Sequence, residues 1–148
     1  MVVVVAVDPF RTTVQELKGA VQSLRRLKLG ASARLNFLYV SNRNESEVNL
    51  LFDRPAGKPR SIDYPREKIH ELARKAGLKL TPKQIVVVFE DSISLAAVSK
   101  RFVKESRKLG ASAVAVHFHK IGAVKRFVLG SFSSALISEA TSPVLVLK

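Results

Sequence analysis

The chain has 148 residues, 47% of them hydrophobic, and it carries a formal net charge of +13 with no cysteine. This length allows one domain with a sizeable core and is too short for two full domains, so we expect a single domain over residues 1–148. The lack of cysteine excludes disulfides, thiolate metal ligands and a thiol nucleophile, and it fits a cytoplasmic protein.

The first predicted element is a buried strand from Val2 to Val7, because a near-continuous β-branched run is typical of a parallel strand covered on both faces. This apolar run is too short for a signal peptide or a membrane span. A helix follows, with Thr12 or Thr13 as its cap and Gly30 as its end. Its apolar positions recur at helical spacing and comprise Val14, Leu17, Val21, Leu24 and Leu27 or Leu29.

The second strand is predicted from Ala33 to Val40. Residues 41–62 are polar and show no sustained period, so they form a long loop, which in a compact domain is more often functional or mobile than merely connecting. The next helix is predicted to begin at Asp63 or Tyr64 and to end at Gly77. Its apolar stripe comprises Ile69, Leu72 and Ala76.

The third strand, Ile85 to Phe89, leads into a helix that Asp91 or Ser92 is expected to cap and Gly110 to end. The alternation of strands and helices therefore continues through the middle of the chain. The inward positions predicted for this helix are Leu95, Val98, Phe102 and Leu109.

The carboxyl-terminal stretch is the most informative part of the chain. A fourth strand from Ala113 to Val116 is followed by a loop, Gly130, a helix and a last strand from Pro143 to Leu147. Gly130 lets the backbone turn closely into a helix whose first N–H groups can face an anion. Serine hydroxyls add donors there, at Ser131, Ser133 and Ser134. The stretch therefore predicts an anion site between two strands.

The predicted element order is that of a doubly wound, five-stranded parallel α/β sheet with helices on both faces. In such sheets the ligand site lies at the carboxyl ends of the strands, near a topological switch point. The residues that fall at these ends are Asp8, Val40, Glu90 and His117.

Four segments carry a family resemblance. They are VVVVAVD closed by Asp8, the Gly30-Ala31 turn into RLNFLYV, the KLGASAVAV approach to the fourth strand and, above all, VLGSFSSALISEATSPVLVLK at the end. With these segments the chain resembles a universal stress protein over essentially its whole length. The resemblance implies a flavodoxin-like, adenine nucleotide alpha hydrolase-like sheet of order 3-2-1-4-5. It also implies a homodimer whose fifth strands pair, here through Val144, Leu145, Val146 and Leu147.

Nucleotide-binding members of that family carry G-x2-G-x9-G-[ST], whose glycines wrap the phosphates of ATP. Gly130 and Ser131 match the final pair, but His117 and Lys120 stand at the two upstream glycine positions, and Gly122 comes two residues late. A Cβ and a ring at position 117 obstruct close backbone approach, whereas Lys120 could place a positive charge beside a phosphate. The motif is degenerate, and Mg²⁺ is expected only with a bound nucleotide.

The resemblance implies that Asp8 meets the adenosine end of an adenine nucleotide, that Val40 and Val116 form apolar walls, and that Ser131 and Ser133 contact phosphates. Each position also has an ordinary structural explanation, since a strand-end aspartate is often a turn acid, valines are core residues and such serines cap helices. The candidate nucleotide-binding residues are Asp8, Val40, Val116, His117, Lys120, Gly122, Gly130, Ser131, Phe132 and Ser133.

The sequence supports metal binding and catalysis less well than nucleotide binding. His117 and His119 share one face of an extended backbone, but the only other histidine is the distant His70, and no third ligand is identifiable nearby. A serine nucleophile needs a base and an oxyanion hole, and the chain has no G-x-S-x-G elbow. We predict no metal site, no catalytic residue and no enzyme, with slow ATP hydrolysis left open.

Two functions stay open on the sequence. The first is a stress-response homodimer of the universal stress protein type that binds ATP or another adenine nucleotide. The second is an interaction protein of the same fold that binds no nucleotide and acts through its basic surface on nucleic acid or an acidic protein. The net charge favours phosphate-rich partners through counterion release, although a solvated surface explains it as well.

Overall fold

The computed structural model describes residues 1–27, 33–42, 62–92, 94–117, 119–120, 127–128 and 131–147. Its strands are β1 (Val2–Ala6), β2 (Arg34–Asn42), β3 (Ile85–Glu90), β4 (Ala113–His117), β5 (His119–Lys120), β6 (Phe127–Val128) and β7 (Val144–Leu147). Its helices are α1 (Val14–Arg26), α2 (Asp63–Lys75), α3 (Leu95–Lys108) and α4 (Ser131–Glu139), with a 3-10 turn at Pro82–Gln84. Within these ranges, no helix has the length and hydropathy needed to cross a membrane.

Five strands form one parallel sheet in the order β3-β2-β1-β4-β7. This confirms the predicted order 3-2-1-4-5, with β7 as the fifth strand of the sheet. The central strand is β1, where Val5 pairs with Phe37 of β2 on one side and with Ala115 of β4 on the other. Because every strand of this sheet is parallel, all the strand ends that precede helices meet at one edge.

The valines of β1 are buried on both faces of the sheet. Val3 and Val5 pack on the side of α1 and α2, whereas Val4 packs on the side of α3 and α4, and each is at most 1% exposed. The first side is completed by Leu17, Ala20, Leu24, Phe37 and Ile69, and the second by Leu38, Val98, Phe102, Val114 and Leu136. The uninterrupted valine run therefore supplies two cores at once.

Local signals place several helix ends where the sequence predicts them. Thr13 caps α1: its Oγ1 accepts from the Glu16 N–H at 3.2 Å, and the Glu16 carboxylate accepts from the Thr13 N–H at 2.8 Å. This is a reciprocal capping box. Gly77 follows α2 with φ +81°, and Gly110 follows α3 with φ +70°. Both glycines adopt the left-handed conformation that ends a helix.

Other predicted boundaries are wrong. The described part of the predicted α1 stripe ends at Leu24, because Leu27 is the C-cap residue and is 55% exposed, while Leu29, the alternative to Leu27, and Gly30 lie outside the described residues. Strand β2 continues through Ser41 and Asn42, so the predicted loop is two residues shorter at its start. The remainder of that loop, residues 43–61, lies outside the described residues.

Helix α3 begins later than predicted, since Ser94 rather than Asp91 or Ser92 is its N-cap. The Glu90 carboxylate accepts from the Ser92 N–H at 3.2 Å, and the Ser92 hydroxyl accepts from the Ser94 N–H at 3.2 Å. These local bonds satisfy backbone donors without a helical turn. Leu95 is therefore at the start of the helix and 45% exposed, instead of inward as predicted.

Candidate functional site

The loop after β1 holds Asp8 in a fixed position. Its Oδ1 accepts from the Phe10 N–H at 2.9 Å, its own N–H donates to Thr12 Oγ1 at 3.2 Å, and its carbonyl accepts from the Thr12 N–H at 2.8 Å. Thr12 is buried, whereas the Asp8 side chain is 37% exposed and its Oδ2 lies 4.0 Å from Arg11 Nε. Asp8 thus has the ordinary structural role of an aspartate in a turn. Its carboxylate is nevertheless accessible to solvent.

The two predicted wall residues belong to the core. Val40 is 9% exposed and Val116 is 1% exposed, and both lie in the hydrophobic cluster that includes Leu136 of α4. Their packing explains both valines without a ligand. A role as site walls stays a prediction for these residues.

His117 is the last residue of β4 and not part of a loop. It lies opposite Leu147 in the parallel ladder with β7, and it is 7% exposed. A strand residue needs no positive φ, so the backbone at this position does not require a glycine. The fourth strand, predicted to end at Val116, therefore extends by one residue to His117.

The chain continues from β4 into a short antiparallel pair, which the sequence does not predict. His119 lies opposite Val128, and Lys120 lies opposite Phe127. The backbone of Lys120 is therefore placed in β5. Gly122 and Gly130 lie outside the described residues, so their predicted roles stay predictions.

Helix α4 begins at Ser131, directly after the predicted Gly130 turn. The hydroxyl-bearing Ser133 in its first turn is 5% exposed. The ring of Phe132 packs edge-on against Phe102 of α3, with 5.7 Å between ring centroids and 79° between planes. Phe132 therefore anchors the start of α4 to α3, and its predicted role in binding a nucleotide stays a prediction.

An aromatic cluster, which the sequence did not predict, lies next to Asp8. Phe10 contacts Tyr39 of β2 edge-on at 6.0 Å and stacks on Tyr64 of α2 at 6.1 Å, and Lys68 Nζ lies 5.8 Å from the Tyr64 ring centroid. Three separate segments meet in this cluster. The available sequence signal is Phe10 itself, a large apolar residue directly after a strand-end aspartate.

His70 and His117 are not brought together. His70 is exposed on α2, which packs against the edge strand β3, while His117 ends β4, three places away in the sheet. Within the described ranges, no three His, Asp or Glu residues are grouped closely enough to hold a metal ion. The described histidines thus offer no shared metal site.

The family is decided by a comparison with known proteins. The model of the Universal stress protein family matches residues 1–148. The chain belongs to the universal stress protein family. No curated protein sequence matches the chain. The membership of this universal stress protein in the family rests on the family model.

Solved structures agree on the fold. A universal stress protein from Archaeoglobus fulgidus is 15% identical with a TM-score of 0.60, covering 100% of this chain and 98% of that chain. The universal stress protein UspA from Lactobacillus plantarum is 17% identical with a TM-score of 0.57, covering 100% and 97%. A universal stress protein solved in complex with cAMP is 14% identical with a TM-score of 0.55, covering 99% and 94%. At these identities the similarity establishes the fold.

Proposed function

We propose that this universal stress protein binds an adenine nucleotide at the carboxyl ends of β1 and β4. The observation that carries the proposal is the fixed Asp8 carboxylate, which follows the central strand at the edge where β4 also ends. This is the position in a doubly wound sheet where ligands bind. A structural neighbour solved in complex with cAMP supports the choice of an adenine nucleotide.

The chemistry of the residues present fits such a ligand. The Asp8 carboxylate can accept hydrogen bonds from the hydroxyl or amino groups of adenosine, while the first N–H groups of α4 have no acceptor within the helix and favour an anion. In the proposed site, Ser131 and Ser133 add hydroxyl donors for the phosphates, and Lys120 supplies a positive charge beside them. The histidine at position 117 is compatible with the proposal, because His117 is paired in the β4 strand and the phosphates would be bound by other residues.

The protein is proposed to bind the nucleotide and not to use it in rapid chemistry. A hydrolase would need a base that activates water or a serine next to the phosphates. The residues assigned to the site provide a carboxylate at the adenosine end and hydrogen-bond donors at the phosphate end. These groups can position a ligand, but they do not include such a base. Mg²⁺ would enter only with the nucleotide, bound through its phosphates.

A homodimer through β7 is the second part of the proposal. The strand lies at the edge of the sheet, and Val146 on it is 36% exposed. An apolar edge strand exposes backbone donors and acceptors that a second copy of the chain can satisfy. A stress-response role in the cytoplasm completes the proposal and rests on family membership and on the absence of cysteine.

The test is calorimetric titration of purified, nucleotide-free protein with ATP, ADP, AMP and cAMP, with and without Mg²⁺. Asp8→Asn keeps an acceptor for the Phe10 N–H but removes the charge, and Gly130→Val blocks the predicted close approach. We expect saturable binding that both substitutions weaken and that Asp63→Asn, at an exposed acid on α2, leaves unchanged. Absence of heat up to millimolar-range nucleotide would overturn the proposal, and ADP release followed over hours would reveal slow hydrolysis.

A further inference from the structure

Helix α3 carries an unusual concentration of positive charge. Within Leu95–Lys108 the sequence LAAVSKRFVKESRK contains a single carboxylate, that of Glu105. Its five cations are Lys100, Arg101, Lys104, Arg107 and Lys108. No other described helix has so large an excess of positive charge. In α2, for example, four cations are accompanied by three carboxylates, those of Asp63, Glu67 and Glu71.

The one acid on α3 does not reach the outer surface. Glu105 is 8% exposed, and its Oε1 lies 3.2 Å from Arg101 Nε and 2.9 Å from Lys108 Nζ. Two cations are thus arranged around one inward carboxylate. The acid is therefore engaged by Arg101 and Lys108, and the other three cations of α3 have no carboxylate partner on the helix.

The outward cations form what we call the α3 basic face, defined by Lys100, Lys104 and Arg107. All three are exposed and recur at i, i+4 and i+7, so they lie along one side of the helix. Arg107 also donates to Thr141 Oγ1 at 2.8 and 3.2 Å, which fixes its guanidinium beside the loop before β7. Lys100 and Lys104 make no ion pair with any described residue.

Helix stability accounts for only part of this charge. Arg107 and Lys108 lie in the last turn, where cations interact favourably with the helix dipole. Lys100 lies in the second turn and gains nothing there, because the dipole effect is confined to the ends of the helix. The basic face thus extends beyond what the fold itself requires.

The side chains around the α3 basic face indicate which class of ligand it can bind. The one aromatic residue of α3, Phe102, is 1% exposed, so no ring is available for stacking on unpaired bases. The exposed large apolar residue of α3, Leu95, lies at the opposite end of the helix from Arg107, so the basic face itself contains no large apolar side chain to insert into a bilayer. What remains is a row of amines and a guanidinium, which fits the regularly spaced phosphates of a duplex.

We propose that the α3 basic face binds the phosphate backbone of double-stranded DNA. The contact is independent of base sequence, since lysine and arginine reach phosphates without reading base edges. This inference does not rest on nucleotide binding, because α3 packs against the face of the sheet and not at the proposed Asp8 site. A protein that binds no adenine nucleotide could still bind DNA through this face.

The test is fluorescence anisotropy of a short labelled DNA duplex, titrated with protein at a series of salt concentrations. The variant Lys100→Gln/Lys104→Gln removes two charges from the face. The matched control, Lys79→Gln/Lys83→Gln, removes two charges from exposed positions near the 3-10 turn. Circular dichroism checks that all proteins are folded.

We expect the affinity of the unmodified protein to fall linearly with salt on logarithmic axes. The face variant should reduce the slope by about 2, roughly one for each lost phosphate contact. The control should keep the slope, and excess AMP should not displace the duplex. Equal slopes for the two variants would show that only net charge matters and would overturn the proposal. Salt-independent affinity, or tighter binding to duplex RNA or phosphatidylserine vesicles, would also overturn it.

Discussion

His117 of β4 lies directly opposite Leu147 of β7, and these two residues close the parallel ladder at the edge where the nucleotide is proposed to bind. Both are buried, at 7% and 2% exposure. His117 is therefore a buried strand residue at the position of the first glycine in the nucleotide-binding motif.

Restoring the motif glycine should harm the protein. We expect His117→Gly to lower the free energy of unfolding by at least about 1 kcal/mol, because glycine is unfavourable in a strand and a buried ring is lost. Nucleotide affinity should not improve, since position 117 is part of the ladder. Urea unfolding and calorimetric titration measure the two effects. A variant that binds ATP more tightly would contradict this account.

The edge strand supports a prediction on assembly. Val146→Lys should convert the proposed homodimer into a monomer, because a lysine on an exposed edge strand opposes pairing with a second copy. Light scattering at micromolar concentration gives the mass. Leu95→Lys is the control, since Leu95 is similarly exposed but lies on α3. A monomeric unmodified protein, or dissociation by both variants, would rule out pairing through β7.

Glu71 on α2 gives a prediction on pH. Its carboxylate accepts a hydrogen bond from Lys75 and lies 3.7 Å from Lys68 Nζ, and these cations hold the pKa of Glu71 below its ordinary value of 4.5. A lowered pKa in the folded state stabilises the fold above the unfolded value, and this contribution is lost as the pH falls through the folded pKa.

Substitution of Glu71 therefore has a pH-dependent effect. We expect Glu71→Gln to be less stable than the unmodified protein at neutral pH and equally stable in acid, and the neutral difference to shrink with added salt. Thermal unfolding across a pH series measures it. Glu67→Gln is the control on the same helix, at an exposed acid without an ion pair among the described residues. A difference that persists in acid would disprove the ion-pair explanation.

Gly77 gives a prediction on backbone strain. Its φ is +81°, and a Cβ added there would meet no atom within 4 Å, so any cost of substitution comes from the backbone. Gly77→Ala should lower the free energy of unfolding by about 1 kcal/mol, and Gly77→Asn by less, because asparagine tolerates the left-handed region. Urea unfolding of both variants decides the matter. Identical stability of all three proteins would contradict the assigned conformation.

The fold could be predicted from the sequence because its signals are local and agree with one another. The valine run of β1 is explained by burial on both faces, and the reciprocal bonds of Thr13 and Glu16 follow from their spacing. The start of α3 could not be predicted in the same way. Side chains of Glu90 and Ser92 bind nearby N–H groups, and a cap motif looks the same in sequence whether it starts a helix or a turn.

The strand and helix ends that would frame the candidate site could be predicted from the sequence, whereas the tertiary contacts around them could not. Asp8 and the start of α4 are strand-end and helix-end features, which sequence periodicity locates. The two-residue strands β5 and β6 are too short to show any period. The contacts of Phe10 with Tyr39 and Tyr64 join residues far apart in the chain, so they depend on tertiary packing alone.

That aromatic cluster gives the protein a built-in optical probe. The chain has no tryptophan and two tyrosines, and both tyrosines contact Phe10, two residues from Asp8. Tyrosine emission and the tyrosine bands of the near-ultraviolet dichroism thus come from one corner of the molecule and not from an average over it. Any ligand that reaches Asp8 can be followed there without a label, in the unmodified chain.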